Sequence, residues 1–335
     1  MLPIQRGILA GAQKMRALIR IASNTTKNIA KITPIKIQIL LLATLTPTIL
    51  TACQARQATP PNTTENTAQI LVAASIPPIA DFVRQVGGER VRVLTMVPPG
   101  ASPHTYEPTP AQMRELAHAK ALFLNGVGLE FWADKAIEAA GNPDLRVVVL
   151  SEGQPILESS ENAAGNPHLW LSPQRAKQYV LRIRDTLIAI DPQGSDLYRA
   201  NTEHYLAQLN QLDADIRAAV AHFKSREMVT FHASWAYFIH DYGLHQAAVL
   251  ETTPGKEPSA AEVAKIVEII KQTGAPAVFA EPQFSPRAAQ VIADEAGVPV
   301  LTLDPLGGLP PRETYLKLMY WNLEQLKKGL GAHNP

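Results

Sequence analysis

Histidine is the residue type in this chain best suited to metal chemistry, and three of the nine histidines share one kind of position. His104 and His168 lie in loops that follow short apolar runs typical of buried strands, while His232 and Asp304 directly follow two other such runs. Neutral imidazoles and one carboxylate suit Zn²⁺ in a four-coordinate site. Mn²⁺ favours more oxygen ligands. The four side chains are therefore candidate ligands for Zn²⁺, with Mn²⁺ as the less favoured ion.

Carboxylates near these positions are candidates for a supporting role. A histidine that binds a metal usually donates its second ring N–H to a carboxylate or a carbonyl oxygen. Glu107, Glu251 and Glu281 could accept such a hydrogen bond. Each of them could equally be a surface carboxylate or the cap of a helix.

The elements that must position these residues follow an alternating pattern. Short β-branched or apolar runs predict strands, and the stretches between them have helical periodicity. Alternation of strands and helices predicts βαβ units with parallel sheets. The expected strands cover residues 70–74, 91–97, 121–124 and 147–150 in a first set, and 228–231, 247–250, 277–280 and 298–303 in a second set.

Two long helical patterns separate the sets. One covers 173–190, and the other covers 195–223 without Gly or Pro. We expect an α/β protein of two lobes, each with a parallel sheet flanked by helices, joined by one long rigid helix. Ligands of open parallel sheets bind beyond the carboxyl ends of the strands, so the metal site is expected in the cleft between the lobes. The predicted boundaries are 69–194 for the first lobe, 195–223 for the linking helix and 224–335 for the second lobe.

The first 68 residues have a different character. Residues 1–52 contain seven bases and no acid, and an apolar stretch over 37–50 precedes Cys53, the only cysteine. This pattern predicts a lipoprotein signal peptide over 1–52, and LTAC at 50–53 is similar to a bacterial lipobox. Cys53 is then the lipidated residue that holds the protein on a lipid membrane, at an extracytoplasmic location. The Pro- and Thr-rich segment 53–68 predicts a flexible tether.

Charge and cysteine content exclude several classes of function. Without the seven bases of the signal peptide, 24 Lys and Arg remain against 30 Asp and Glu, a net charge of −6. A mildly acidic body has no electrostatic footprint for nucleic acid. A lone cysteine excludes a disulfide within the chain and a metal site built from several cysteines.

Four motifs resemble those of the zinc and manganese solute-binding proteins of ABC importers. They are GASPHTYEPTP at 100–110, NPHLWLSP at 166–173, FHASWAYF at 231–238 and DPLG at 304–307. The resemblance covers nearly all of residues 69–330 and implies two lobes joined by a long helix, with His104, His168, His232 and Asp304 binding the metal between them. It also implies delivery to an importer made of a membrane permease and an ATPase, and we expect a monomer. Manganese-type members usually have an acidic third ligand, so His232 favours zinc.

Other functions are compatible with parts of the pattern. Many zinc-type members carry a His-rich loop before the second ligand, whereas 152–165 has no histidine. A zinc hydrolase needs an open coordination position and a general base, but four ligands are already present and no HExxH motif occurs. A surface adhesin could use the metal structurally. Aromatic residues near the ligands could line a sugar-binding cleft, although sealing the metal from water is the simpler reading.

Overall fold

The computed structural model describes residues 69–159, 162–251 and 258–331. The expected signal peptide over 1–52, the tether over 53–68 and the lipidation site Cys53 lie outside the described residues. Within the described part of the chain, no helix is both long and apolar enough to cross a membrane.

The first lobe is built on a four-stranded parallel sheet with the strand order β2-β1-β3-β4. Runs of Val, Leu and Ala form its central strands, which are buried on both faces. Its strands are β1 (Ile70–Ala74), β2 (Val91–Thr95), β3 (Ala121–Leu124) and β4 (Arg146–Val149), and its helices are α1 (Pro77–Gly87), α2 (Pro110–Leu116) and α3 (Ala133–Ala140).

The second lobe repeats this plan with the strand order β6-β5-β7-β8, again all parallel. In each sheet the strand order reverses between two central strands, β1 and β3 in the first sheet and β5 and β7 in the second. Open parallel sheets bind ligands beyond the strand ends at such a point. Its strands are β5 (Glu227–Thr230), β6 (His245–Val249), β7 (Val278–Ala280) and β8 (Val300–Thr302), and its helices are α6 (Ala236–Tyr242), α7 (Ala260–Thr273), α8 (Arg287–Ala296) and α9 (Tyr315–Leu330).

Two long helices connect the lobes: α4 (Pro173–Ile190) and α5 (Ser195–Ala221). α5 packs against α4 and α1 of the first lobe and against α9 of the second. Its buried face includes Leu209, Leu212 and Ile216, at the expected helical spacing. The sequence boundaries between the lobes and this helix remain predictions, since α5 shares a core with both lobes.

The buried apolar side chains form three clusters. One apolar cluster is continuous from the first sheet through α4 and α5 to α9, and it includes Phe82, Trp170 and Tyr315. A second cluster packs under α2 and α3, and a third lies between the second sheet and helices α7 and α8. Because the largest cluster spans both lobes, it fixes the distance between the two sheets.

Local hydrogen bonds set where two of the helices begin. α3 begins at Ala133, because Glu130 accepts the N–H groups of Asn125 and Gly126 and holds the preceding residues in a turn. α9 begins at Tyr315, because the Thr314 side chain accepts the N–H of Lys317 and caps it there.

Candidate metal centre

Three histidine rings converge in the cleft between the lobes. His168 Nε2 lies 3.3 Å from His104 Nε2 and 3.1 Å from His232 Nε2. One ring nitrogen from each of the three lies within 4.8 Å of the other two. His168 and His232 are buried, and His104 is partly buried. The structure thus brings together three of the four ligands expected from the sequence.

The rings surround a cavity of about 10 Å³. This is close to the space that a single water molecule needs. Its wall includes Trp170, Phe284, Pro305 and Leu306, which shield the ring nitrogens from solvent. The cavity suits one ion and is far too small for a sugar.

His104 reaches the cavity from the loop between β2 and α2. Thr109 ends this loop by accepting the N–H of Gln112, and Gln112 accepts the N–H of Thr109 in return, which is a capping box. The Gln112 side chain also accepts a hydrogen bond from Tyr106 Oη, at 2.7 Å. The loop that carries His104 is therefore fixed at its helical end.

His168 is held by Asn166, which lies two residues before it. Asn166 Oδ1 accepts hydrogen bonds from the backbone N–H of His168 and from His168 Nδ1, both at 3.0 Å. Asn166 Nδ2 donates to Ala233 O in the other lobe, at 2.7 Å, and this fixes which end of the amide faces the ring. With its proton on Nδ1, His168 presents a bare Nε2 to the cavity.

His232 follows β5 and has a carboxylate behind it. Glu281 Oε1 lies 2.9 Å from His232 Nδ1 and also accepts a hydrogen bond from Ser234 Oγ. Both side chains of the His232–Glu281 pair are almost fully buried. A carboxylate at this distance favours the ring proton on Nδ1, and Nε2 then faces the cavity as an acceptor.

Asp304 lies two residues after the end of β8 and is not part of the three-histidine group. Its Oδ1 accepts hydrogen bonds from Gln283 Nε2 at 2.9 Å and from the N–H groups of Leu306 and Gly307 at 3.0 Å. Its Oδ2 lies 2.8 Å from Arg312 Nε. The carboxylate adjoins the cavity through Gln283, which lines it.

The electrostatics of the cluster favour neutral imidazoles. Burial, and secondarily the neighbouring His232, lowers the pKa of His104 to about 3. Burial lowers the pKa of His168 well below its ordinary value, with His232 and His104 adding to the effect. A neutral imidazole is the form that binds metal.

The three carboxylates expected behind the ligands have different positions. Glu281 lies where a supporting carboxylate would. Glu251 is buried at the end of β6, where its backbone N–H donates to Phe231 O. Glu107 is exposed and borders a separate hollow lined by Phe131 and Trp132.

Three residues around the site were missed by the sequence reasoning: Asn166, Gln283 and Arg312. Asn166 could have been found, because Asn side chains often bond the backbone two residues further on. Gln283 and Arg312 gave no signal, since their contacts with Asp304 connect different segments of the second lobe.

Several hydrogen bonds hold the two lobes together beside the cavity. Trp170 Nε1 donates to Pro305 O at 2.8 Å, and Tyr315 Oη donates to Trp170 O at 2.7 Å. Tyr237 Oη donates to Asn166 O at 2.8 Å. These contacts place the loop of His168 against both sides of the cleft, so the arrangement of the three histidines depends on both lobes.

Comparisons with known proteins agree with this architecture. The chain is 30% identical over 274 residues to the manganese-binding lipoprotein MntA of Halalkalibacterium halodurans, covering 80% of this chain and 91% of MntA. It is 28% identical over 314 residues to the zinc-binding lipoprotein AdcA of Streptococcus pneumoniae, covering 88% of this chain. The alignment covers only 61% of AdcA, so this chain spans less than two thirds of that relative.

Solved structures share the fold. A crystal structure of ZnuA superposes with a TM-score of 0.72 at 33% identity, covering 78% of this chain and 99% of that one. The periplasmic zinc-binding protein TroA of Treponema pallidum, at 24% identity, has the same fold with a TM-score of 0.72, covering 79% of this chain and all of TroA. The sequence model of the family described as zinc-uptake complex component A, periplasmic (ZnuA), matches residues 72–329. With more than half of its length matched, the chain belongs to the ZnuA family.

Proposed function

We propose that this protein captures Zn²⁺ in the cleft between its lobes and delivers it to an ABC importer. The observation that carries the proposal is the mutual approach of three histidine Nε2 atoms around a cavity of single-ion size. Membership of the ZnuA family and the zinc-binding relatives support it.

The proton positions explain why a cation fits there. His168 and His232 each have an acceptor oxygen beside Nδ1, so a neutral ring carries its proton on that side. Their Nε2 atoms, 3.1 Å apart, then face each other with lone pairs and cannot form a hydrogen bond. A metal ion between the rings converts this repulsion into coordination.

The donor set favours zinc over manganese. Imidazole nitrogen suits Zn²⁺, whereas Mn²⁺ prefers carboxylate, carbonyl and water oxygen. The manganese-binding MntA at 30% identity makes Mn²⁺ the alternative cargo within the same function.

We propose Asp304 as the fourth ligand, after it separates from Arg312. Glu281 Oε2 and Gln283 Oε1 are rival donors, because both are buried, both side chains line the cavity wall, and neither atom has a hydrogen-bond partner among the described residues. Asp304→Asn distinguishes them: weaker zinc binding supports Asp304, and unchanged binding points to one of the rivals.

The partners and location follow from the same function. We propose that the protein works outside the cytoplasm as a monomer, anchored to the lipid membrane through Cys53. Its partners are then a membrane permease and that permease's ATPase, and its task is binding without catalysis. A zinc hydrolase receives no support from the family, and the adhesin alternative remains a hypothesis that growth rescue by zinc in a deletion strain would oppose.

The first experiment is metal analysis and competition titration on the purified protein, comparing wild type with His232→Ala. We expect one Zn²⁺ per chain, bound in preference to Mn²⁺ and strongly weakened by the substitution. His245→Ala is the matched control, because His245 Nδ1 also lies 2.9 Å from a carboxylate, Glu227, but on the exposed edge of the same sheet.

Each outcome has a separate meaning. Preferred binding of Mn²⁺ would keep the transport function and change the cargo. Binding that is indifferent to His232, or no bound metal, would contradict the proposed site. Turnover of an ester or peptide that depends on zinc would favour the hydrolase.

A further inference from the structure

The two oxygens of Asp304 have unequal surroundings. Oδ1 accepts three hydrogen bonds, from Gln283 Nε2 and from the N–H groups of Leu306 and Gly307. Oδ2 accepts no hydrogen bond from the described residues and faces Arg312 Nε at 2.8 Å. One oxygen therefore anchors the carboxylate to its loop, and the other is compensated only by the charge of Arg312.

The contact between Arg312 and Oδ2 is an ion pair without an aligned hydrogen bond. Although Oδ2 is 2.8 Å away, Arg312 Nε has no hydrogen-bond partner within the described part of the chain, so its N–H is not directed at the carboxylate. A hydrogen bond between charged groups is about twice as strong as one between neutral groups, and this pair lacks that contribution.

Arg312 has its own support apart from Asp304. Its guanidinium carbon lies 4.3 Å from the centre of the Trp321 ring, and its backbone carbonyl accepts the N–H of Gly308 at 2.8 Å. The side chain is 19% exposed. The guanidinium can therefore remain stacked on Trp321 and be hydrated by water when Asp304 Oδ2 binds another cation.

We propose that Arg312 is a built-in competitor of the metal: it neutralises Asp304 through Oδ2 and must yield that oxygen when Zn²⁺ is bound. This inference rests on the proposed function. A buried carboxylate requires a nearby cation, and Arg312 and a metal ion can each meet that requirement. The three histidines would then capture the ion, while the Asp304–Arg312 pair sets how tightly it is held and how fast it leaves.

The physical effect of such a competitor is a lower apparent affinity. When only a fraction of molecules has the binding-competent arrangement, the apparent dissociation constant rises by the inverse of that fraction. A pair that is closed in about nine molecules of ten would weaken binding about tenfold. When Arg312 retakes Oδ2 while the three histidines still hold the ion, the ion has lost one ligand and its release is faster.

The test compares zinc affinity, by chelator competition, and zinc release, by stopped-flow mixing with excess chelator, in wild type and Arg312→Met. Methionine retains an unbranched apolar stem over Trp321 and removes the charge. We expect Arg312→Met to bind zinc about tenfold more tightly and to release it about tenfold more slowly. Arg90→Met is the matched control, because Arg90 is also 19% exposed and pairs with Asp191 at 2.7 Å in the first lobe; we expect wild-type affinity and release from it.

A double-mutant cycle with Asp304→Asn separates competition from a general charge effect. If Arg312 competes for the carboxylate, Arg312→Met has little effect in the Asp304→Asn background. If removing a positive charge merely favours a nearby cation, the gain persists in that background and the inference is overturned.

Arg312→Lys keeps the charge and serves if Arg312→Met does not fold, as judged by circular dichroism and thermal melting. Lysine lacks the planar group that stacks on Trp321, so we expect it to compete less and to bind zinc more tightly than wild type. The inference is overturned if a folded Arg312→Met binds zinc no more tightly than wild type, or if Arg312→Lys has the same affinity as wild type. In either case the proposed function stands as long as the wild-type protein binds zinc. Failure of wild type itself to bind zinc would instead contradict the proposed function.

Discussion

The two lobes support the side chains around the cavity with different chemistry. In the first lobe, the Nδ1 of His168 is 3.0 Å from the neutral amide of Asn166. In the second lobe, the Nδ1 of His232 is 2.9 Å from the carboxylate of Glu281, and Asp304 is paired with Arg312. The distances behind the two rings are nearly the same, but the charges near the cavity are concentrated in the second lobe.

This difference separates residues that position a histidine ring from residues that change the charge around the cavity. Asn166 also bonds Ala233 O across the cleft, so it places His168 relative to both lobes without changing the charge of the site. Glu281 and Asp304 bring negative charge to a dication, and Arg312 opposes it. We therefore expect substitutions around His168 to disturb geometry, and substitutions around His232 and Asp304 to change affinity through charge.

The largest effect is expected from His168→Ala. Its Nε2 lies between those of the other two histidines, so its loss removes the central donor. If zinc binding of about 10–16 kcal/mol is divided equally among four ligands, one ligand contributes roughly 2.5–4 kcal/mol, or about 60- to 700-fold in affinity. Competition titration measures this loss. An affinity within tenfold of wild type would contradict the placement of His168 at the centre of the site.

Asn166→Leu tests the neutral support of the first lobe. It removes the acceptor for His168 Nδ1 and the hydrogen bond to Ala233 O, and we expect zinc affinity to fall by about 10–100-fold. Asn201→Leu is its control, because Asn201 donates to Val86 O at 3.0 Å away from the cavity. Equal zinc affinities in the two variants would show that Asn166 does not orient the ring.

Glu281→Gln tests the charged support of the second lobe. The amide oxygen can still accept the His232 ring proton, so geometry is retained while one negative charge is lost. We expect about a tenfold weaker affinity, at the lower end of the range for such partners. Glu227→Gln is the control, since Glu227 Oε1 makes the same 2.9 Å contact with His245 at the surface. A loss as large as that of Asn166→Leu would mean that both lobes act through geometry.

Arg175→Met should change stability far more than zinc affinity. Arg175 forms two bonds of 2.9 and 3.0 Å to Asp241 and so ties α4 to α6. Hydrogen bonds to charged groups contribute about 1.5–3 kcal/mol, and we expect the free energy of unfolding to fall by that amount. Denaturant unfolding at pH 7, beside a zinc titration, measures both. A large loss of zinc affinity with unchanged stability would contradict this separation.

The same pair predicts a dependence of stability on pH. Burial opposes the charged form of Asp241, but hydrogen bonds from Arg175 and Ser172 outweigh it and hold the pKa below its usual value. A carboxylate with a lowered folded pKa stabilises the protein above its unfolded pKa, and this contribution is lost as the pH falls through the folded value. Arg175→Met should therefore flatten the loss of stability below about pH 4. If the free energy of unfolding of Arg175→Met fell with acid as it does in wild type, other carboxylates would be responsible for the loss of stability.

The sequence by itself determined most of the fold and the identity of the converging histidines. Strand and helix periods depend on local side-chain patterns, and the bounds 70–74, 121–124 and 173–190 agree with the structure to the residue. His104, His168 and His232 could be expected to meet because loops at the carboxyl ends of parallel strands share one edge. The start of α9 at Tyr315 also depends on a local feature, because the Thr314 side chain caps the helix there.

The tertiary structure alone decided which groups support and oppose those ligands. Of three carboxylates with equal claims in the sequence, Glu281 lies 2.9 Å from the His232 ring, while Glu107 borders a different hollow. The pairing of Asp304 with Arg312 also had no sequence signal, although only eight residues separate them. A turn through Gly307 and Gly308 folds the chain back on itself there, and a contact made by such folding leaves no periodic pattern to read.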